Sequence, residues 1–207
     1  MNRPFTSALF YLRTGNTGLA GLDLMAASSR WASFLEKFET DPPAPIDKDA
    51  GWETSIASIS TALEAGRAHV DAADGEAAGR VLVGIKEALY ELRRRNGLRV
   101  LADCVFDLNG KMDALYHYRR NPPDLEQDDI RSELEKMGRA YEELIAECRQ
   151  LAAKPLRKDQ DFQSLFGGAL RSVRSLGGPL GSRDQRGVIN VLRELRSFDR
   201  LIWLRWG

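Results

Sequence analysis

Asp113 and His117 stand four residues apart, which puts a carboxylate and an imidazole on one face of a helix at a workable metal-ligand spacing. They are the candidate metal ligands of this chain. A zinc or iron site would need one or two further ligands from other helices. The Glu-x-x-His spacing of di-iron bundles is absent. An isolated histidine near a helix end accounts for the same residues, and His69 is a second histidine of that kind. Covalent haem would need Cys-x-x-Cys-His, which does not occur. Non-covalent haem would need an axial pair drawn from Met25 or Met112 and a histidine, although methionine at helical spacing usually packs a core. The sequence therefore names no cofactor.

Cys104 and Cys148 fall on or beside apolar stripes. Two readings stand, a buried inert pair and a bridge, and spacing does not choose between them. Neither has a histidine placed beside it in sequence, as a nucleophile would need. The run Gly177-Gly178-Pro179-Leu180-Gly181-Ser182 leads into a helix with Arg183 and Arg186 in its first turn, a superficial likeness to a phosphate cradle. No strand precedes it and no Walker lysine follows, so a turn with a Ser182 cap reads equally well. Arg93-Arg94-Arg95 closes a helix, where positive charge meets the negative end of the dipole. No nucleic-acid fingerprint accompanies these arginines.

These side chains must be positioned by helices. Ile130, Leu134, Met137, Tyr141, Leu144, Ile145, Cys148 and Leu151 recur at steps of three and four, with glutamates between them. Asp128 or Asp129 is placed to cap this helix and Pro155 to mark its end. The same periodicity predicts helices over about 19–38, from Trp52 to the Asp74-Gly75 turn, over 76–95 with Asn96-Gly97 as its stop, over 99–119, from Phe162 to Leu176, and from Ser182 to the end. The stripe of the last helix reads Val188, Val191, Leu192, Leu195, Phe198 and Ile202. No segment alternates with period two, so the expected fold is all-α, an antiparallel helical bundle without a sheet.

Two shifts bring the halves into register. Moving by 110 residues lays Leu24 on Leu134, Trp31 on Tyr141, Trp52 on Phe162 and Ile56 on Phe166. A shift of 106 overlays the flanks, with Leu82 on Val188 and Ile85 on Val191. The expectation is an internal duplication of four-helix units over 1–97 and 98–207. The opening helix of the first copy is short, about Phe5–Thr14. Processing of an exported precursor would account for the missing turns. The compartment is accordingly read as cytoplasmic, or as periplasmic if a signal peptide has been removed.

Among 207 residues there are 30 basic and 30 acidic side chains, so the formal net charge is zero. That balance excludes wholesale coating of nucleic acid or of an anionic membrane. No apolar run approaches the ~20 residues of a membrane span. The end Leu201-Ile202-Trp203-Leu204-Arg205-Trp206 is apolar on both faces and has to be buried, by default within the chain. With no acid–base pair, ligand cluster or phosphate loop standing out, the reading leans away from an enzyme. The expected function is a non-enzymatic bundle acting through protein interaction, self-association or a structural role. The alternative is a small-ligand or metal-binding bundle, exported in one version.

Overall fold

A computed structural model describes residues 2–207. Every regular element among them is a helix, and the chain divides into two compact units at Arg99/Val100.

In the first unit, α1 (Asn2–Arg13), α2 (Thr17–Phe38), α3 (Trp52–Asp71) and α4 (Gly75–Arg95) form a ring, with α1 against α2 and α4 and α3 against the same two. Short polar connections set the starts. Asn16 caps α2 by accepting from Leu19 N at 3.1 Å, and Asp74 caps α4 by accepting from Ala77 N at 2.9 Å. Gly97, at φ +68°, takes the left-handed conformation that ends α4, and Leu98 N donates back to Arg93 O at 2.9 Å. Leu24, Ile59, Leu82 and Ile85 fill the middle of the ring without any exposure. Each such side chain contributes roughly 1.5–3 kcal/mol of burial. Trp31, Phe34 and Trp52 stack at one end, and the two indole N–H groups are satisfied by Ser60 Oγ at 2.8 Å and Glu39 O at 2.9 Å.

The second unit repeats that ring with α5 (Leu101–Arg120), α6 (Asp128–Leu151), α8 (Gln160–Arg174) and α10 (Gln185–Trp206). Two short helices are added, α7 (Lys154–Arg157) and α9 (Gly177–Gly181). Several local expectations are corrected here. Ser182 does not cap the last helix; Asp184 does, accepting from Gly187 N at 3.0 Å, because the glycine run itself winds into α9 and delays the start. Neither Asp128 nor Asp129 is the cap of α6: Gln127 holds that place without a side-chain bond, and both aspartates lie in the first turn, facing the positive dipole end. Pro155 opens α7 beyond the end of α6.

Cys104 and Cys148, both fully buried, are joined as a disulfide that pins α5 to α6 with 5.4 Å between their Cα atoms. The apolar C-terminus is covered within its own unit only in part, since Leu201 stays 43% exposed. Ile202 is buried, Trp206 packs on Phe162 and Phe166 at 5.1 and 5.7 Å, and Trp203 lies 5.6 Å from Phe106.

Three helix pairs share a burial register. A shift of 110 places buried on buried in three helix pairs: Leu24 on Leu134 and Trp31 on Tyr141 in α2 and α6, Trp52 on Phe162 and Ile56 on Phe166 in α3 and α8, and Leu82 on Leu192 and Ile85 on Leu195 in α4 and α10. The shift of 106 expected for α4 instead sets buried Ile85 on half-buried Val191. The two shifts differ by four residues, about one helical turn, so an amphipathic stripe alone does not distinguish them.

Candidate functional site

A connected set of charged and polar side chains is drawn deep into the core of the second unit. Asp199 on α10 is 1% exposed. It accepts from Asn109 Nδ2 of α5 at 2.7 Å, from the Tyr141 hydroxyl of α6 at 3.3 Å and from Arg196 Nη1 at 3.3 Å. Arg196 also donates to Asp113 Oδ1 at 2.6 Å, and its guanidinium lies 5.5 Å over the Tyr116 ring. Its Nε is buried and makes no hydrogen bond.

Burial pushes the Asp199 carboxyl up to about 6, against the pull of Asn109, Arg196 and Tyr141. Burial, and then the neighbouring Asp199 charge, drive the Tyr141 hydroxyl well above its ordinary range. At the positions 110 residues before Asp199 and Tyr141 the first unit has Leu89 and Trp31, while the position before Arg196 is Lys86, itself buried.

In the sequence Tyr141 falls on the apolar stripe, and Asn109, Arg196 and Asp199 do not stand out from the solvated positions around them. A signal existed. Leu195, residue 199 and Ile202 are spaced by four and three, so residue 199 must face the core, yet it is an aspartate. The neighbouring Phe198, expected to be buried, is only half-buried.

Asp113 and His117 do share the C-terminal half of α5, but they are engaged separately. Asp113 is taken by Arg196, and the His117 ring nitrogens lie 3.2 and 3.5 Å from Asn121 Nδ2. Among the described residues, no group of three or more His, Cys, Asp or Glu side chains converges as a metal site would require. Of the arginines in the glycine-run region, Arg183 pairs with Glu126 at 2.7 Å and Arg186 is exposed. Arg94 pairs with Glu91 at 2.7 Å.

Arg95 holds Asp49 through Nε at 2.7 Å and reaches Ser55 Oγ at 2.6 Å, while Asn96 Nδ2 donates to Asp49 at 2.7 Å. Partial burial raises the Asp49 carboxyl, but the bonds from Asn96, Gly51 and Arg95 outweigh it and leave it below the usual range. Lys86, 6% exposed in the core-facing row of α4, is brought down to about 8 by burial.

Among the described residues, each unit has a surface cleft. In the first, about 840 Å³ is walled by Glu39, Thr40, Asp47, Asp49, Trp52 and Glu53 among others. In the second, about 330 Å³ is walled by Ala146, Arg149, Gln150, Arg157, Phe162 and Gln163. The Asp199 network lines neither.

No family model, no curated protein and no solved structure matches this chain. No helix among the described residues is long and apolar enough to cross a membrane.

Proposed function

We propose that this chain is a non-enzymatic interaction protein built from two duplicated four-helix units, and that the outward face of α2 meets an apolar helix of a protein partner. The observation that carries the reading is that face. Gly18, Leu19, Leu22, Met25, Ala26 and Ser29 are all exposed, none is charged, and Leu22 is 61% exposed. Phe10 on adjoining α1 is exposed as well. A solvated helix face in this chain looks different: α6 turns Glu133, Glu135, Lys136, Arg139 and Glu143 to water. An uncharged, aliphatic stripe opposite the buried row of Ala20, Leu24, Ala27 and Trp31 gives α2 two apolar faces, and one of them has no cover in the unit. Helix-in-groove recognition uses anchors at this spacing.

The common burial register at a shift of 110 supports the duplication. The buried Cys104–Cys148 disulfide favours an oxidising compartment, since such bridges are rare where thiols are kept reduced. The non-enzymatic reading is supported by the Asp199 network, in which the carboxylate is taken up by Asn109, Tyr141 and Arg196 beneath the surface. A second reading, a small-ligand-binding bundle, is favoured by the two charged clefts.

Photo-crosslinking from position 22 in the native host tests the reading, with position 135 on the charged face of α6 as control. A discrete protein adduct from 22 that is lost in Met25→Glu is expected. Equal labelling from both positions refutes it, and a ladder of homo-adducts would reassign the face to a second copy of the chain.

A further inference from the structure

The opposite charge of the two clefts is the feature that carries furthest. Five of their wall positions correspond at the shift of 110. Glu39 corresponds to Arg149, Thr40 to Gln150, Asp47 to Arg157, Trp52 to Phe162 and Glu53 to Gln163. Each hollow lies where the second long helix of the unit ends, a short helical turn follows, and the third begins: Ile46–Lys48 in one unit, Lys154–Arg157 in the other. Each has a buried aromatic floor, Trp52 or Phe162. The hollow is common to both units, while its charge is inverted at two places, Glu39/Arg149 and Asp47/Arg157. This correspondence rests on the duplication proposed above.

We propose that the cleft between α6, α7 and α8 is a binding site for a small polyanion, a phosphate- or polycarboxylate-bearing molecule gripped by Arg149 and Arg157.

Four observations support this assignment. First, the guanidiniums of Arg149 and Arg157 have no ion-pair or hydrogen-bond partner among the described residues. Exposed Arg120, Arg171, Arg186, Arg193 and Arg200 are likewise without one among those residues; what sets Arg149 and Arg157 apart is that both line a single hollow. Second, residues 148–158 add Lys154 and Lys158 and contain no acidic side chain. The carboxylates that follow are occupied, Asp159 capping α8 through Phe162 N at 2.9 Å and Asp161 holding Arg205 at 2.5 Å. Third, the mouth is pre-shaped, because Gln163 Nε2 donates to Arg157 O at 3.0 Å and ties α8 to α7. Fourth, the volume is at the small end of ligand sites (roughly 300–1,000 Å³), which suits a compact anion rather than a chain of nucleotides. The dipole of α6 accounts for one positive charge in its last turn, Arg149, but not for Arg157 on the next element. Two guanidinium forks and two side-chain amides match phosphate or carboxylate oxygens through paired N–H donors.

The test is an NMR titration of the full, oxidised chain with pyrophosphate and, separately, with citrate, at constant ionic strength. Saturable shifts are expected at the end of α6, in α7 and at the start of α8, with half-saturation below about 10 mM for at least one probe. The Arg149→Gln/Arg157→Gln variant should weaken that binding at least about tenfold, and Arg186→Gln, at an exposed arginine outside the cleft, should leave it unchanged. Both substituted cleft residues are exposed, so the spectrum of the folded unit serves as its own control. A response to pyrophosphate alone assigns a phosphate-bearing ligand, and a response to citrate alone a polycarboxylate. Absence of saturation with either probe, saturation elsewhere, or binding that survives the double substitution overturns the proposal. None of these outcomes bears on the α2 face.

Discussion

The buried carboxylate of Asp199 predicts a stability that falls as the medium becomes less acidic. Its value in the folded chain is about 6, whereas an ordinary aspartate stands at 3.8. The folded state therefore holds a proton that the unfolded state has released. Stability from this group is complete below about 4 and is lost as pH rises through about 6. The gap of about two pH units corresponds to roughly 3 kcal/mol. Asp199→Asn removes the titration and keeps the shape. Urea unfolding, followed by amide signals of α10 so that the second unit is read alone, is measured at pH 4 and pH 7.5 for both chains. The wild type minus variant stability should fall by roughly 2–3 kcal/mol between the two. Carboxylates without contact to this network, Asp124 included, cancel in the difference. A flat difference would refute the claim that burial dominates at this site. A difference that rises with pH would show that Arg196 and Asn109 overcome the burial.

Three further expectations follow from packing and charge. Ala at position 66 would bring a Cβ to 2.6 Å from Leu82 Cδ2, and Leu82 is fully buried, so Gly66→Ala should cost about 1–2 kcal/mol despite the better helix former; Gly84→Ala, with nothing within 4 Å, should gain up to about 1 kcal/mol in the same denaturation assay. Lys86 is held at about 8 against an ordinary 10.5, so the first unit should gain stability as pH rises from about 8 towards 10.5, and Lys86→Met should abolish that slope in urea titrations. Removal of residues 201–207 takes away buried Ile202 and the Trp206–Phe162 packing, and should lower the second unit's stability by at least about 3 kcal/mol; unchanged thermal melting would refute it.

How much of this was legible follows from what periodicity encodes. Helix existence was readable from the stripes, and the ends were readable where a side chain does the capping or a glycine the stopping, as at Asp74 and Gly97. The start of α10 was not, because the glycine-rich run 177–181 wound into α9 through tertiary contacts that local propensity does not register. The stripe gave the buried faces but not their register between halves, since a slide of one turn looks alike in sequence. The Asp199 network was written in the spacing of residues 195, 199 and 202, but its partners come from α5 and α6, 90 and 58 positions away in the chain. The clefts were unreadable for a related reason: Arg149, Arg157 and Gln163 belong to three elements and meet only through the turn between α6 and α8. The disulfide was left open because two cysteines 44 residues apart carry no geometry until α5 lies on α6.

The disulfide also explains how the second unit tolerates what the first lacks. Ionising Asp199, at the place where the first unit has Leu89, costs roughly 3 kcal/mol near neutral pH, on the same pKa gap. Closing a loop of 44 residues with Cys104–Cys148 restricts the unfolded chain and contributes about 4 kcal/mol. The two effects are comparable and opposite. Cys148 lies seven residues beyond Tyr141 on α6, roughly 10 Å along the axis, with no shared partner, so their energies should add. Cys104→Ala/Cys148→Ala should therefore lower the second unit's stability by about 4 kcal/mol both in the wild-type background and in the Asp199→Asn background, and leave the first unit unchanged. In the wild-type background the loss should be most visible at pH 7.5, where the aspartate has already removed its share. A bridge-removal cost that changes by more than about 1 kcal/mol between the two backgrounds would mean that the crosslink positions Tyr141 against Asp199, and that the network and the bridge are one device rather than two.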